Sequence, residues 1–121
     1  AKTNPPVSVT KKYREAHRFF TAERTRIEST VIESARSYPI NLDGLNTGIQ
    51  YLGDNIAAAL QLGDMEYVTN EMEWLKTLIQ AYERPAQELK DFMKIYSRAV
   101  DKHINGQGEP IKQWLKAQAN A

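Results

Sequence analysis

The sequence predicts an all-α protein: an up-down-up-down four-helix bundle with a long first helix and a short C-terminal helix. Three observations predict it. Apolar residues recur at steps of three and four along four successive segments. Proline or glycine stands at each break between those segments. No run alternates polar and apolar residues with the β-branched enrichment of a strand. Amphipathic helices joined by short turns close most simply as a bundle.

Residues 1–8, with Pro5 and Pro6, read as a flexible lead-in, and Ser8 or Thr10 can cap the first helix. That helix is expected over about residues 9–37. Its apolar line is Tyr13, Ala16, Phe20, Ile27, Val31, Ala35 and Tyr38, interrupted at Glu23 and Arg24. Pro39 ends it, because the residue before a proline disfavours the α region.

The second helix is expected to start at Asn41 or Asp43, either a good N-cap. With Asn41 as cap, Ile40 and Leu45 take the hydrophobic-staple positions. Its inner line is Leu45, Ile49, Leu52, Ile56, Ala59 and Leu60. Gly48 and Gly53 lie inside it, each costing about 1 kcal/mol against alanine, which suggests close approach of a neighbour on that side. Gly63 is expected in the left-handed conformation that closes a helix, and Asp64 as cap of the next.

The third helix, over about residues 65–82, carries Met65, Val68, Met72, Leu75, Ile79 and Tyr82, an a/d seam. Pro85 suits the first turn of a fourth helix over about residues 85–104. The core line there is Leu89, Phe92, Met93, Tyr96, Ala99, Val100 and His103. Residues 9–104 thus form the bundle, and 105–121 a Gly-rich loop and a tail helix with Ile111, Trp114 and Leu115 on one face.

A chain of 121 residues suits one domain. The absence of cysteine removes disulfides, thiolate metal sites and cysteine nucleophiles, and fits a reducing cytoplasm. No apolar run approaches the roughly 20 residues that span a bilayer, so no membrane partner is expected. The first ten residues lack the apolar core of an intact signal peptide. Ala1 in place of a start methionine implies a processed chain or a piece of a longer one.

Charge is uneven beneath a net of +1. Residues 1–37 hold eight basic and four acidic side chains, residues 38–91 three and nine, residues 92–121 five and two. One reading is that basic ends neutralise the acidic middle, within a chain or between two. The other is an anionic partner for Lys11, Lys12, Arg14 and Arg18, although few aromatics and no motif point to nucleic acid.

Catalytic constellations are missing. His17 and His103 are the two histidines, with no His-x-x-x-His or Glu-x-x-His spacing for a metal. His103 falls in the last turn of its helix, where the dipole favours a cation. No lysine-bearing phosphate loop is present. An enzyme is therefore not expected, nor a metal or cofactor.

Two features exceed what a plain bundle needs. Tyr67, Glu71, Trp74 and Leu78 form a second stripe on the third helix, beside its seam. The two stripes make an apolar arc of about 160 degrees, where a one-faced surface helix shows ~100. Either flanking helices place Trp74 in the core, or Tyr67 and Trp74 belong to an aromatic surface for a ligand or partner. The second feature is length. The first helix, about 29 residues or roughly 43 Å, exceeds the others, at about 20 residues each. Tyr13, Phe19 and Phe20 lie on its first half. Either the tail helix with Trp114 covers them, or they and Trp114 form a homodimer interface.

Leu60-x-Leu62-Gly63-Asp64, then Tyr67-Val68, then Trp74-Leu75, resembles the helical bundle that precedes the cobalamin-binding domain in some bacterial regulators. The likeness covers about residues 45–104. It implies a stand-alone regulatory or sensory bundle, with Trp74 matching the tryptophan that covers the corrin. Neither the Asp-x-His-x-x-Gly motif that binds the corrin in that family nor the α/β domain that holds it is expected in this chain, so cobalamin binding is not carried over. The expectation is a non-enzymatic regulatory or signalling module that binds a protein. The rival is a small-ligand or tetrapyrrole sensor using Tyr67 and Trp74 with Tyr96 and His103.

Overall fold

The computed structural model describes residues 11–38, 44–81, 86–104 and 109–119, with the side chains of residues 75, 78–81, 86 and 119 outside that description. Among the described residues five helices pack as a bundle: α1 (Lys11–Ala35), α2 (Leu45–Leu62), α3 (Glu66–Ala81), α4 (Ala86–His103) and α5 (Glu109–Ala119). Among the described residues there is no strand, and no helix long and apolar enough to cross a membrane. The caps expected at Ser8 or Thr10 and at Asn41 or Asp43, the staple residue Ile40 and the breaks at Pro39 and Pro85 lie outside the described residues.

The long first helix has 25 residues. Ala16, Phe20, Ile27, Val31 and Ala35 are buried along one line of it. It ends two residues earlier than the pattern suggested. Arg36, Ser37 and Tyr38 instead donate to the carbonyls three residues back, the tighter winding in which α-helices commonly finish. Helix α2 begins behind Gly44, which carries no side-chain cap. Glycine is tolerated there because solvent can satisfy the first free N–H groups.

Gly63 sits at φ 75°, a conformation that a side chain disfavours. From there its N–H reaches the Leu60 carbonyl and the Asp64 N–H reaches that of Ala59, which closes the last turn of α2. The Asp64 carboxylate accepts from the Glu66 N–H at 2.9 Å and opens α3. The hairpin this makes is antiparallel, as the pairing of Tyr51 with Glu71 requires.

Helix α1 is the centre of the arrangement, packing on α2, α4 and α5. Helix α2 also packs on α3, and α4 on α5, whereas α3 and α4 meet only lightly. Arg24 beside Asp54 and Glu28 beside Gln50 show α1 and α2 antiparallel. The core gathers Phe20, Ile27, Ile49, Leu52, Ile56 and Leu60 with Met93, Tyr96, Val100, Ile111 and Leu115. Ile95 and Ile104 of the fourth segment are buried too, beyond its expected core line.

The tail helix answers the question of the surplus length. Helix α5 folds back onto α1 and α4. Trp114, 8% exposed, donates its indole N–H to the Thr69 hydroxyl at 2.8 Å. Phe20 is fully buried, and Tyr13 and Phe19 pack against the core. Of the four residues expected at a homodimer interface, Phe20 and Trp114 are buried within the chain, and Tyr13 and Phe19 are partly buried against its core.

Candidate functional site

Of the expected a/d seam, Met65, just before α3, and Val68 and Met72 within it are buried, while the side chains of Leu75, Ile79 and Tyr82 lie outside the described ones. In the neighbouring stripe Tyr67 is 36% and Trp74 58% exposed, and Leu62 on the last turn of α2 is 62% exposed. This decides between the two readings of the wide arc. Helix α3 rests on α2 and only lightly on α4, so among the described residues Tyr67 and Trp74 of this stripe are left exposed and Trp74 is outside the core.

Tyr51, which the sequence pattern alone did not single out, joins this surface from α2. Its ring centroid lies 6.5 Å from that of Trp74, the planes tilted by 36°. Its hydroxyl donates to the Glu71 carboxylate at 3.0 Å. Burial, then that hydrogen bond and the nearby negative charge, push the phenol up to about 12. The hydroxyl therefore stays protonated and holds Glu71 against α2. The signal that finds Tyr51 is spacing: Tyr51, Asn55, Ala58 and Leu62 fall at four, three and four, the α2 stripe beside α3.

The hairpin that bears the surface is acidic. Residues 45–81 contain Asp54, Asp64, Glu66, Glu71 and Glu73 against Lys76 alone. Lys76 lies 3.5 Å from Glu73. The side chain of Leu78, the fourth residue of the expected stripe, is outside the described ones.

Tyr96 and His103 belong elsewhere. The His103 ring is 2.7 Å, through Nε2, from the Thr30 hydroxyl of α1. Tyr96 is fully buried, 6.0 Å from Phe92 between ring centroids, and its hydroxyl makes no hydrogen bond within the described residues. Burial, with Glu28 nearby, raises its pKa. Both residues face α1, so the set expected for a tetrapyrrole is not brought together. The letters Asp101-Lys102-His103-Ile104-Asn105-Gly106 do match the Asp-x-His-x-x-Gly signature of corrin-binding domains. Asp101, Lys102 and His103 end α4, Ile104 follows, and Asn105 and Gly106 lie outside the described residues. Asp101 lies 3.9 Å from Lys112, and His103 is engaged by Thr30.

A second polar cluster ties α1 to α2. Arg24 donates through Nε to Glu28 at 2.7 Å and through Nη2 to Asp54 at 2.8 Å, and Gln50 donates to Glu28 at 3.2 Å. Burial alone would lower the pKa of Arg24, but its bonds to the two carboxylates outweigh that and raise it. Gly53 makes room for the guanidinium. Of the two interior glycines, then, Gly53 is closely approached, whereas at Gly48 the nearest atom is the Phe92 Cζ at an ordinary 4.0 Å. This cluster is a clamp between helices. Among the described residues no group of three or more His, Asp or Glu could hold a metal ion. Comparison with family models, with curated proteins and with solved structures finds no match.

Proposed function

We propose that this chain is a non-enzymatic protein-interaction module of a regulatory or signalling kind, whose partner docks on the outer face of α2 and α3. The observation that carries the proposal is Trp74, 58% exposed beside Tyr51 on a helix whose Val68 and Met72 are buried on its other side. Tryptophan and tyrosine bring large apolar area with a polar tip, and they dominate the energetic centres of protein interfaces. Leu62 and Tyr67 extend the same face. A single exposed apolar residue needs no explanation, but a contiguous aromatic patch does. The partner is protein rather than nucleic acid, because the surrounding carboxylates repel phosphate.

Site-directed photo-crosslinking in the native host tests this reading. A benzophenone amino acid in place of Tyr67 or Trp74 should give one discrete adduct, identified by mass spectrometry and lost when Leu62 and the remaining aromatic are changed to alanine. The same group at Gln113, exposed on α5, should give none. Equal labelling at all three positions, or none at positions 67 and 74, sinks the proposal.

A further inference from the structure

Resting on that docking reading, we propose that the partner is a basic amphipathic helix, with apolar residues that cover Tyr67 and Trp74 and lysine or arginine side chains that meet Glu66 and Glu73. The register of α3 sets the pattern. Glu66 directly precedes Tyr67, and Glu73 directly precedes Trp74. Both pairs recur at an interval of seven residues, or roughly 10.5 Å along the helix. An aromatic stripe is therefore bordered by a carboxylate stripe with the same repeat, and all four residues are exposed. A helix laid alongside presents its own side chains at the same interval, apolar beside basic.

Charge complementarity fixes the sign. Residues 45–81 carry five acidic and one basic side chain, a local net of −4 in a chain whose total is +1. The field above this face repels acidic partners and steers basic ones. The aromatic rings add to the preference, since tyrosine and tryptophan faces attract ammonium and guanidinium groups. Arg24 of α1 offsets Asp54 at 2.8 Å, which leaves Asp64, Glu66, Glu71 and Glu73 against Lys76. Lys76 borders Glu73 at 3.5 Å as an exposed pair of little energetic weight, and the Asp64 side chain caps α3 while remaining exposed.

The test uses the whole chain and three synthetic amphipathic helical peptides, with leucine on one face and lysine, glutamine or glutamate on the other. The readout is the indole N–H resonance of Trp74, assigned with Trp74→Phe, with buried Trp114 as internal reference. The lysine peptide should move Trp74 and leave Trp114 in place, more weakly as salt rises. The Glu66→Gln/Glu73→Gln variant should bind it about five-fold more weakly. If the glutamine peptide binds as well as the lysine peptide, the docking face stands and the basic partner falls. Equal binding by the double variant has the same consequence. If no peptide moves Trp74, both proposals fall. A Trp74 resonance that shifts on dilution of the protein alone assigns the face to a second copy and overturns the basic-helix partner.

Discussion

Arg24 of α1 lies across Gly53 of α2, so closely that a Cβ at position 53 would stand 2.6 Å from its Nη2 and 2.8 Å from its Nε and Cζ. Replacing Gly53 by alanine therefore has two opposed effects. It adds about 1 kcal/mol of helix stability, and it pushes the guanidinium off Glu28 and Asp54. In the native background Gly53→Ala should be neutral or destabilising. In an Arg24→Ala background it should stabilise by about 0.5–1 kcal/mol. Urea unfolding of the four proteins in this cycle measures the difference, and an identical effect in both backgrounds would contradict the close approach.

Gly48 gives the contrasting case. Its nearest outside atom is the Phe92 Cζ at 4.0 Å, ordinary contact distance for a methyl group. Gly48→Ala gains helix propensity without displacing a neighbour, and should stabilise the protein by about 0.5–1 kcal/mol. A drop in the urea midpoint would mean that α4 lies nearer to α2 than the structure places it.

These two glycines also mark what the sequence can and cannot tell. Sequence reading finds a polar residue on the apolar line of α1 and a glycine inside α2, and treats them as separate irregularities. They are one feature, since Arg24 fits its position because Gly53 has no side chain, but a pairing across two helices leaves no local trace. Local signals fare better. Gly63 and Asp64 state their turn in backbone chemistry, and Met65, Val68 and Met72 state the inner face of α3. The arc beside them marks Tyr67 and Trp74 without saying whether a helix covers them, because that depends on how near α4 comes. In the same way Phe20 and Trp114 read as surplus apolar surface until the tail helix is seen to fold back. His103, expected on the core line in the last turn of its helix, finds its partner in Thr30, 73 positions away.

Tyr51 carries a pH dependence. Its folded-state pKa of about 12 lies above the ordinary value near 10. The neutral phenol is thus the form the fold favours. Its contribution to stability is complete below pH 10 and is lost as pH rises through about 12. Spectrophotometric titration, with helicity followed in parallel, should show late tyrosine ionisation that loses one group in Tyr51→Phe. Glu71→Gln should move that group part of the way back towards 10, since burial remains when the carboxylate is gone. A titration unchanged by either substitution would break the link between Tyr51 and Glu71.

The two tryptophans should separate folding from binding. Trp114 is buried and donates to Thr69 at 2.8 Å, whereas Trp74 is exposed. Trp114→Ala removes a large core side chain and should cost about 3–5 kcal/mol. Trp74→Ala leaves the interior intact and should stay within about 0.5 kcal/mol of the parent. Between them, Trp114→Phe and Thr69→Val should each cost about 1 kcal/mol, and the double variant little more than one of them, because each removes the same hydrogen bond. Iodide should quench the fluorescence of Trp114→Phe, in which Trp74 alone emits, far more than that of Trp74→Phe. If Trp74→Ala proved as destabilising as Trp114→Ala, Trp74 would be part of the core, and the face it anchors would lose its claim as a docking surface.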